Sequence, residues 1–230
     1  MNIIYEFFFE NNRTEVFELK FNELDLSLEP LLIETEQPWT RLETKQCSMC
    51  TLKPSEHPHC PVARNLSLLL LKFKDDKSYD KATTRVTAKG RITEKHTTLA
   101  EGVSPLMGLI MATSGCPVLD KFKPMAFIHL PFANENETIF RAVGMYLTAQ
   151  YFKLHNNQEP DWELKHFKDM YGQINQLNMD FSERIREIKG KDTNINALIL
   201  LDLFAQVGTF SFNEDWMKEL EPLFGAYLKE

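Results

Sequence analysis

An α+β fold, with a small N-terminal antiparallel sheet of about three strands packed with a bundle of about five helices, is what three features of this sequence predict. Residues 2–21 alternate apolar and polar side chains around a polar turn, residues 81–96 are rich in Thr, Val and Ile, and from Thr97 onward apolar residues recur at helical spacing. The chain has 230 residues, 43% of them hydrophobic and 17 of them Phe, enough to build one core. A single domain over 1–230 is therefore expected, with a hairpin, a cysteine knuckle, a helix and a strand in 1–96 and the helical part in 97–230. There is no internal repeat and no low-complexity segment.

In chain order, Ile3, Tyr5, Phe7 and Phe9 share one face of a first strand, and Phe17, Leu19 and Phe21 share one face of a second. The turn NNRT between them completes a hairpin. Residues 24–39 are irregular, broken by Pro30 and Pro38, and lead into the cysteine-rich stretch. Pro61 stands where a first helical turn accepts proline, and residues 62–73 read as a helix with Leu66, Leu69, Leu70 and Phe73 on its core side. Residues 81–96 read as one extended segment in which Lys81, Arg85, Lys89, Arg91 and Lys95 fall on one face unless Gly90 interrupts it. Glu6 or Glu18 of the hairpin could neutralise this stripe. Arg85, Lys89 and Arg91 are otherwise the candidate site for an acidic partner.

The helical part begins with LAEGVSPLMGLIMATSG, where Pro105 suggests a helix start and Gly115 an end. The three prolines of residues 115–132 rule out one regular element there. Asn134 or Asn136 caps a helix over about 137–155, with Ile139, Phe140, Val143, Tyr146, Leu147 and Tyr151 as its buried stripe. Asp161 opens a long helix to about Ile188, striped by Phe167, Met170, Tyr171, Ile174, Leu177, Phe181 and Ile185, and Gly190 ends it. Asp192 or Thr193 caps NINALILLDLFAQV, apolar nearly all round. Asn213 caps a last helix carrying Trp216, Leu220, Leu223, Phe224 and Tyr227.

The stretch CSMCTLKPSEHPHCP concentrates chemistry. Cys47, Cys50 and Cys60, three of the chain's four cysteines, lie there with His57 and His59. A C-x2-C pair is the usual half of a zinc site, because its turn lets both thiolates face one point. Cys60 opens a helix, whose positive end favours a thiolate. For the fourth ligand Cys116 is preferred over His59 and His57, since SGC116P repeats the cysteine–proline arrangement of Cys60. The predicted set is thus Cys47, Cys50, Cys60 and Cys116 around a structural zinc. Cysteine followed by proline also occurs at iron–sulfur clusters, so a four-cysteine cluster is the alternative.

Other constellations point more weakly to catalysis. Cys116 with His129 could form a thiol–base pair, although the spacing matches no protease signature. Glu137 and Arg141 stand four apart on a helix, as a structural ion pair does. Asp202 within ALILLDLFAQV would need a cation such as Arg141, Arg184 or Arg186 if buried. Glycine-rich phosphate loops, HExxH and GxSxG are missing from the sequence, which makes nucleotide-dependent and common hydrolase chemistry less expected.

A net charge of −7 and a pI near 5.5 argue against general binding to nucleic acid or anionic membranes. The N-terminus has no basic region or cleavage site of a secretory signal, and the longest apolar run is interrupted by Asp202, so a cytoplasmic protein without a membrane span is expected. In that reducing compartment cysteines serve as thiols or metal ligands rather than disulfides. Whether the chain is an enzyme, and whether it forms a homo-oligomer, the residues leave open.

Over nearly its whole length the chain resembles an uncharacterised family of bacterial proteins, a domain of unknown function. The similar pieces are PWTRLETKQCSMC, HPHCPVARNL, LMGLIMATSGCP, FKPMAFIHLPF and ETIFRAVGMYL. The resemblance covers Cys47, Cys50, Cys60, Cys116, His57 and His129, favours four cysteines over His59, and implies no activity.

Overall fold

The computed structural model describes residues 1–31, 37–73, 75–186 and 214–229. Its N-terminal half forms a four-stranded antiparallel sheet in the order β2-β1-β3-β4. β1 (Asn2–Phe9) and β2 (Thr14–Lys20) make the expected hairpin, with Ile3 opposite Leu19 and Tyr5 opposite Phe17. The alternation selects the buried face: Ile3, Tyr5, Phe7, Phe17 and Leu19 all point into the core. Asn12, at φ 64°, closes the turn, held by the Asn12 amide donating to Phe9 O at 3.1 Å.

The strand count is one higher than expected because residues 81–98 are two strands, β3 (Lys81–Ala88) and β4 (Arg91–Thr98). Lys89 and Gly90 between them take φ of 49° and 74°, the left-handed pair that a two-residue hairpin turn requires. This turn breaks the predicted basic stripe. Arg85 lies opposite Glu94, and its Nε donates to Glu94 Oε2 at 2.7 Å, while Lys95 lies opposite the buried Thr84 on the other face. Lys89 donates from Nζ to Phe127 O at 2.6 Å. Glu6 is the register neighbour of Arg85, as expected of the hairpin, but the ion pair goes to Glu94.

α1 (Pro61–Lys72) and α2 (Leu99–Thr113) cover the apolar face of the sheet. Leu66, Leu69 and Phe73 are buried as the helical spacing predicts, while the Leu70 side chain lies outside the described set. α2 begins six residues before Pro105, at a Thr98 cap whose hydroxyl accepts from the Glu101 amide, so Pro105 is interior to the helix and not at its start. Gly102 brings α2 close to the sheet: an added Cβ would overlap Thr84 Oγ1 and meet the Phe7 ring at 3.2 Å. The proline-rich segment folds as a 3-10 turn (Leu119–Phe122) and a short α3 (Lys123–Phe127).

α4 (Glu135–His155) starts at Asn134, one of the two predicted caps, with a reciprocal capping box to Glu137. Ile139, Val143 and Tyr146 are buried, whereas Phe140 and Tyr151 are exposed, because only one edge of the stripe has α5 to pack on. α5 (Lys165–Arg186) buries Phe167, Met170, Ile174, Leu177, Phe181 and Ile185. It spans two clusters: its first half packs against α4 and its second half joins the sheet, α1 and α2. α6 (Glu214–Leu220) is followed by a 3-10 turn at Glu221–Phe224. Pro222 ends the regular helix there, so the predicted last helix does not run on through Leu223, Phe224 and Tyr227, which are exposed. The predicted helix around Asp202 and its caps lie outside the described residues.

Candidate functional site

The loop carrying the cysteines is held to the body of the protein at several points. The Cys50 amide donates to Cys47 O at 3.0 Å, which is the tight turn that C-x2-C spacing implies. The Leu42 amide donates to Pro58 O and the Cys60 amide to Thr40 O, lacing the two sides of the loop together at 2.9 and 2.8 Å. On the far side, the amide and hydroxyl of Ser48 both donate to Asp180 Oδ2 of α5, at 2.7 and 2.8 Å.

Two cysteine–proline sites then repeat one local geometry. Cys60 is the N-cap of α1, without a side-chain cap hydrogen bond, and the backbone amides of Val62 and Ala63 work to lower its pKa. At Cys116, after Gly115 at φ 88°, the backbone amides of Val118 and Leu119 act in the same way. In both, the amides two and three residues downstream of the cysteine lower its pKa. Such N–H donors stabilise a thiolate and orient it.

All four cysteines line one small cavity of about 20 Å³, closed by Leu42, Leu52, Val62, Leu177, Phe181 and Arg184. No disulfide joins them. Burial in this apolar setting pushes the Cys47 thiol up to about 12, helped by the neighbouring Cys60. Burial raises Cys60 and Cys116 as well. Arg184 opposes the shift at Cys47 and Cys60 with its positive charge. Among the described residues no group of three or more His, Cys, Asp or Glu side chains is placed so that it could hold a metal ion. Four thiols at one void are the donor type that soft metal ions take when deprotonated, although the side chains as placed form no ligand set.

The histidine alternatives stand apart. His57 is exposed, and His59 Nδ1 lies 2.9 Å from Thr40 Oγ1, so neither lines the cysteine cavity. His129 is separated from Cys116: it lines a larger cavity and its Nε2 is 2.6 Å from Tyr5 Oη. Desolvation, with the charge of Arg141 second, lowers the His129 pKa to about 4, which leaves a neutral ring. Glu137 accepts from the Asn134 amide, and Arg141 donates to Met125 O and Ile128 O at 2.9 and 2.6 Å, so the anticipated ion pair gives way to a helix cap and a loop anchor.

Residues 3–225 match the family described as Domain of unknown function (DUF6901). The chain belongs to this family. Comparisons with curated proteins and with solved structures give no match. No helix among the described residues is long and apolar enough to cross a membrane.

In this DUF6901 chain the site depends on two residues whose roles sequence reasoning missed. Arg184 is fully buried and donates from Nη1 to Trp39 O and Arg41 O, at 3.0 and 2.5 Å, and from Nη2 to Leu42 O at 2.9 Å. Sequence reading offers it only as a partner for Asp202, which lies outside the described residues. Asp180, exposed on the sequence pattern, holds Ser48, and these hydrogen bonds keep its pKa low against the opposing effect of desolvation. A signal for Arg184 exists: Leu177, Phe181 and Arg184 continue one stripe of α5 at four and three residues, a cation on an apolar face.

Proposed function

We propose that this protein is a metal-stabilised binding or assembly protein in which Cys47, Cys50, Cys60 and Cys116 hold a structural zinc. The observation that supports this reading is the meeting of all four cysteines of the chain at one cavity. Zinc bound there would supply folding free energy, since such sites exist only when the chain is folded. Three ligands come from the loop and α1, and the fourth follows α2, so the metal would staple the N-terminal elements to the helical part. Four thiolates and one zinc carry two negative charges, and Arg184 offsets one of them.

The cavity volume favours one ion over an iron–sulfur cluster, because about 20 Å³ is close to the space for a single water-sized sphere. The deciding experiment is metal analysis with an absorbance spectrum on anaerobically purified full-length protein, followed by melting with and without chelator. Stoichiometric zinc and a lowered melting temperature after chelation are expected. Protein without stoichiometric metal that melts identically in both conditions overturns the proposal, and iron with the visible absorbance of a cluster replaces zinc by the cluster reading.

A further inference from the structure

A second cavity, of about 780 Å³, opens between α2, the 3-10 turn, α3, the start of α4 and α5. Its volume is in the range of sites for drug-sized molecules. Buried Leu109, Ala112, Leu119 and Ala126 line its inner part, and the exposed Lys95, Glu101 and Glu135 lie at its rim. Flexible Met111 and Met125 and the ring of Phe122 add adaptable apolar surface.

Two polar side chains in this wall have buried atoms without a hydrogen-bond partner. Asn178 is 5% exposed, and neither its Nδ2 nor its Oδ1 has a hydrogen-bond partner. Buried amides almost always have partners, so one left open on both atoms marks a place where a ligand's polar group belongs. Arg141 is the second. Its Nε has no partner, its Nη2 donates only to main-chain carbonyls, and no carboxylate pairs with it among the described residues. The acidic lining groups, Glu101 and Glu135, are exposed, and Glu137 acts on Arg141 through its charge without forming an ion pair, so the interior presents a cation with no carboxylate bound to it. A cation in such a setting selects an anion, and a guanidinium matches a carboxylate best.

We propose that this cavity binds a small amphipathic organic acid, with its carboxylate at Arg141, a second polar group at the Asn178 amide and its apolar body against α2 and Phe122. The site is independent of the cysteine cavity: His129, Arg141 and Asn178 line only the larger one, and Leu177, Phe181 and Arg184 only the smaller. α5 serves both with successive residues. Failure of the zinc reading therefore leaves this proposal standing, and the reverse holds.

The test uses the full chain and the fluorescent probe anilinonaphthalene sulfonate, an aromatic body with one anionic group. Saturable binding of the probe is expected, with displacement by dodecanoate at roughly tenfold lower concentration than by dodecanol or dodecyltrimethylammonium. Gly108 lines the cavity and an added Cβ there meets nothing within 4 Å, so Gly108→Phe fills space without disturbing the core. Gly108→Phe should abolish displacement, and Asn178→Leu should weaken dodecanoate binding while leaving the melting temperature at or above that of the parent. Arg141→Gln should remove the preference for the acid, and its fold is checked by circular dichroism because Arg141 also anchors α3. Equal displacement by the three competitors, no saturable binding, or dodecanoate binding unchanged in folded Gly108→Phe and Asn178→Leu each overturns the proposal.

Discussion

Arg184→Met offers the sharpest test of how the cysteine loop is held. The substitution keeps an apolar stem of similar length and removes the guanidinium that donates to Trp39 O, Arg41 O and Leu42 O, with a longer contact to Lys45 O at 3.4 Å. Three charge-assisted bonds at about 1.5 kcal/mol each come to ~4.5 kcal/mol, from which relief of the buried charge subtracts part, so a loss of about 3 kcal/mol is expected. For a chain of this size that corresponds to a fall of roughly 6–12 °C in melting temperature. Urea unfolding followed by tryptophan fluorescence is the assay, since Trp39 sits at the site. Arg184→Lys separates geometry from charge. Without the planar fork it should lose nearly as much stability as Arg184→Met, yet it should retain more of any zinc affinity, because a cation still faces Cys47 and Cys60. A change below about 1 kcal/mol in both variants refutes the view that Arg184 organises the loop.

Three further outcomes follow from the same structure. His129 has its pKa lowered from 6.5 to about 4 in the folded chain, so the unfolded state binds more protons between these values; stability is full above about pH 6.5 and falls through this window by about 3 kcal/mol, a fall that His129→Gln should flatten in urea titrations at a series of pH values. Cys116→Ser should lower the stoichiometry of bound metal and abolish the effect of chelator on melting, whereas His59→Ala should change neither, as measured by metal analysis and calorimetry; equal effects would return the histidine to the ligand set. Gly102→Ala should destabilise by about 1–3 kcal/mol in the same urea assay, because its methyl group overlaps the buried Thr84 hydroxyl and presses on Phe7; an unchanged midpoint would show that α2 can lift from the sheet without cost.

Local order was legible wherever a residue's own neighbours in sequence decide it. Alternation through Ile3, Tyr5 and Phe7 and the helical stripe from Phe167 to Ile185 identify faces, and Asn134 with Glu137 identifies a helix start, since these signals act over a few residues. The repeated cysteine–proline step also marked Cys60 and Cys116 as equivalent, and both line one cavity, with amides two and three residues on lowering their pKa. The two-residue turn at Lys89 and Gly90 was harder to read, because a left-handed lysine is not announced by its side chain, and one missed turn inverts the face of every following residue.

Tertiary structure alone decided what each face packs against. Helical spacing made Phe140 and Tyr151 look like core, but burial needs a partner surface, and among the described residues none covers them. Arg184 and Asn178 of α5, left out of the predicted stripe, are buried, and only the packed chain shows that one binds four loop carbonyls and the other is left open in a cavity wall. The physical reason is common to these cases. A one-dimensional pattern states which side of an element faces inward, whereas hydrogen-bond partners, desolvation and cavity shape depend on residues far away in the chain, brought close only when the whole packs.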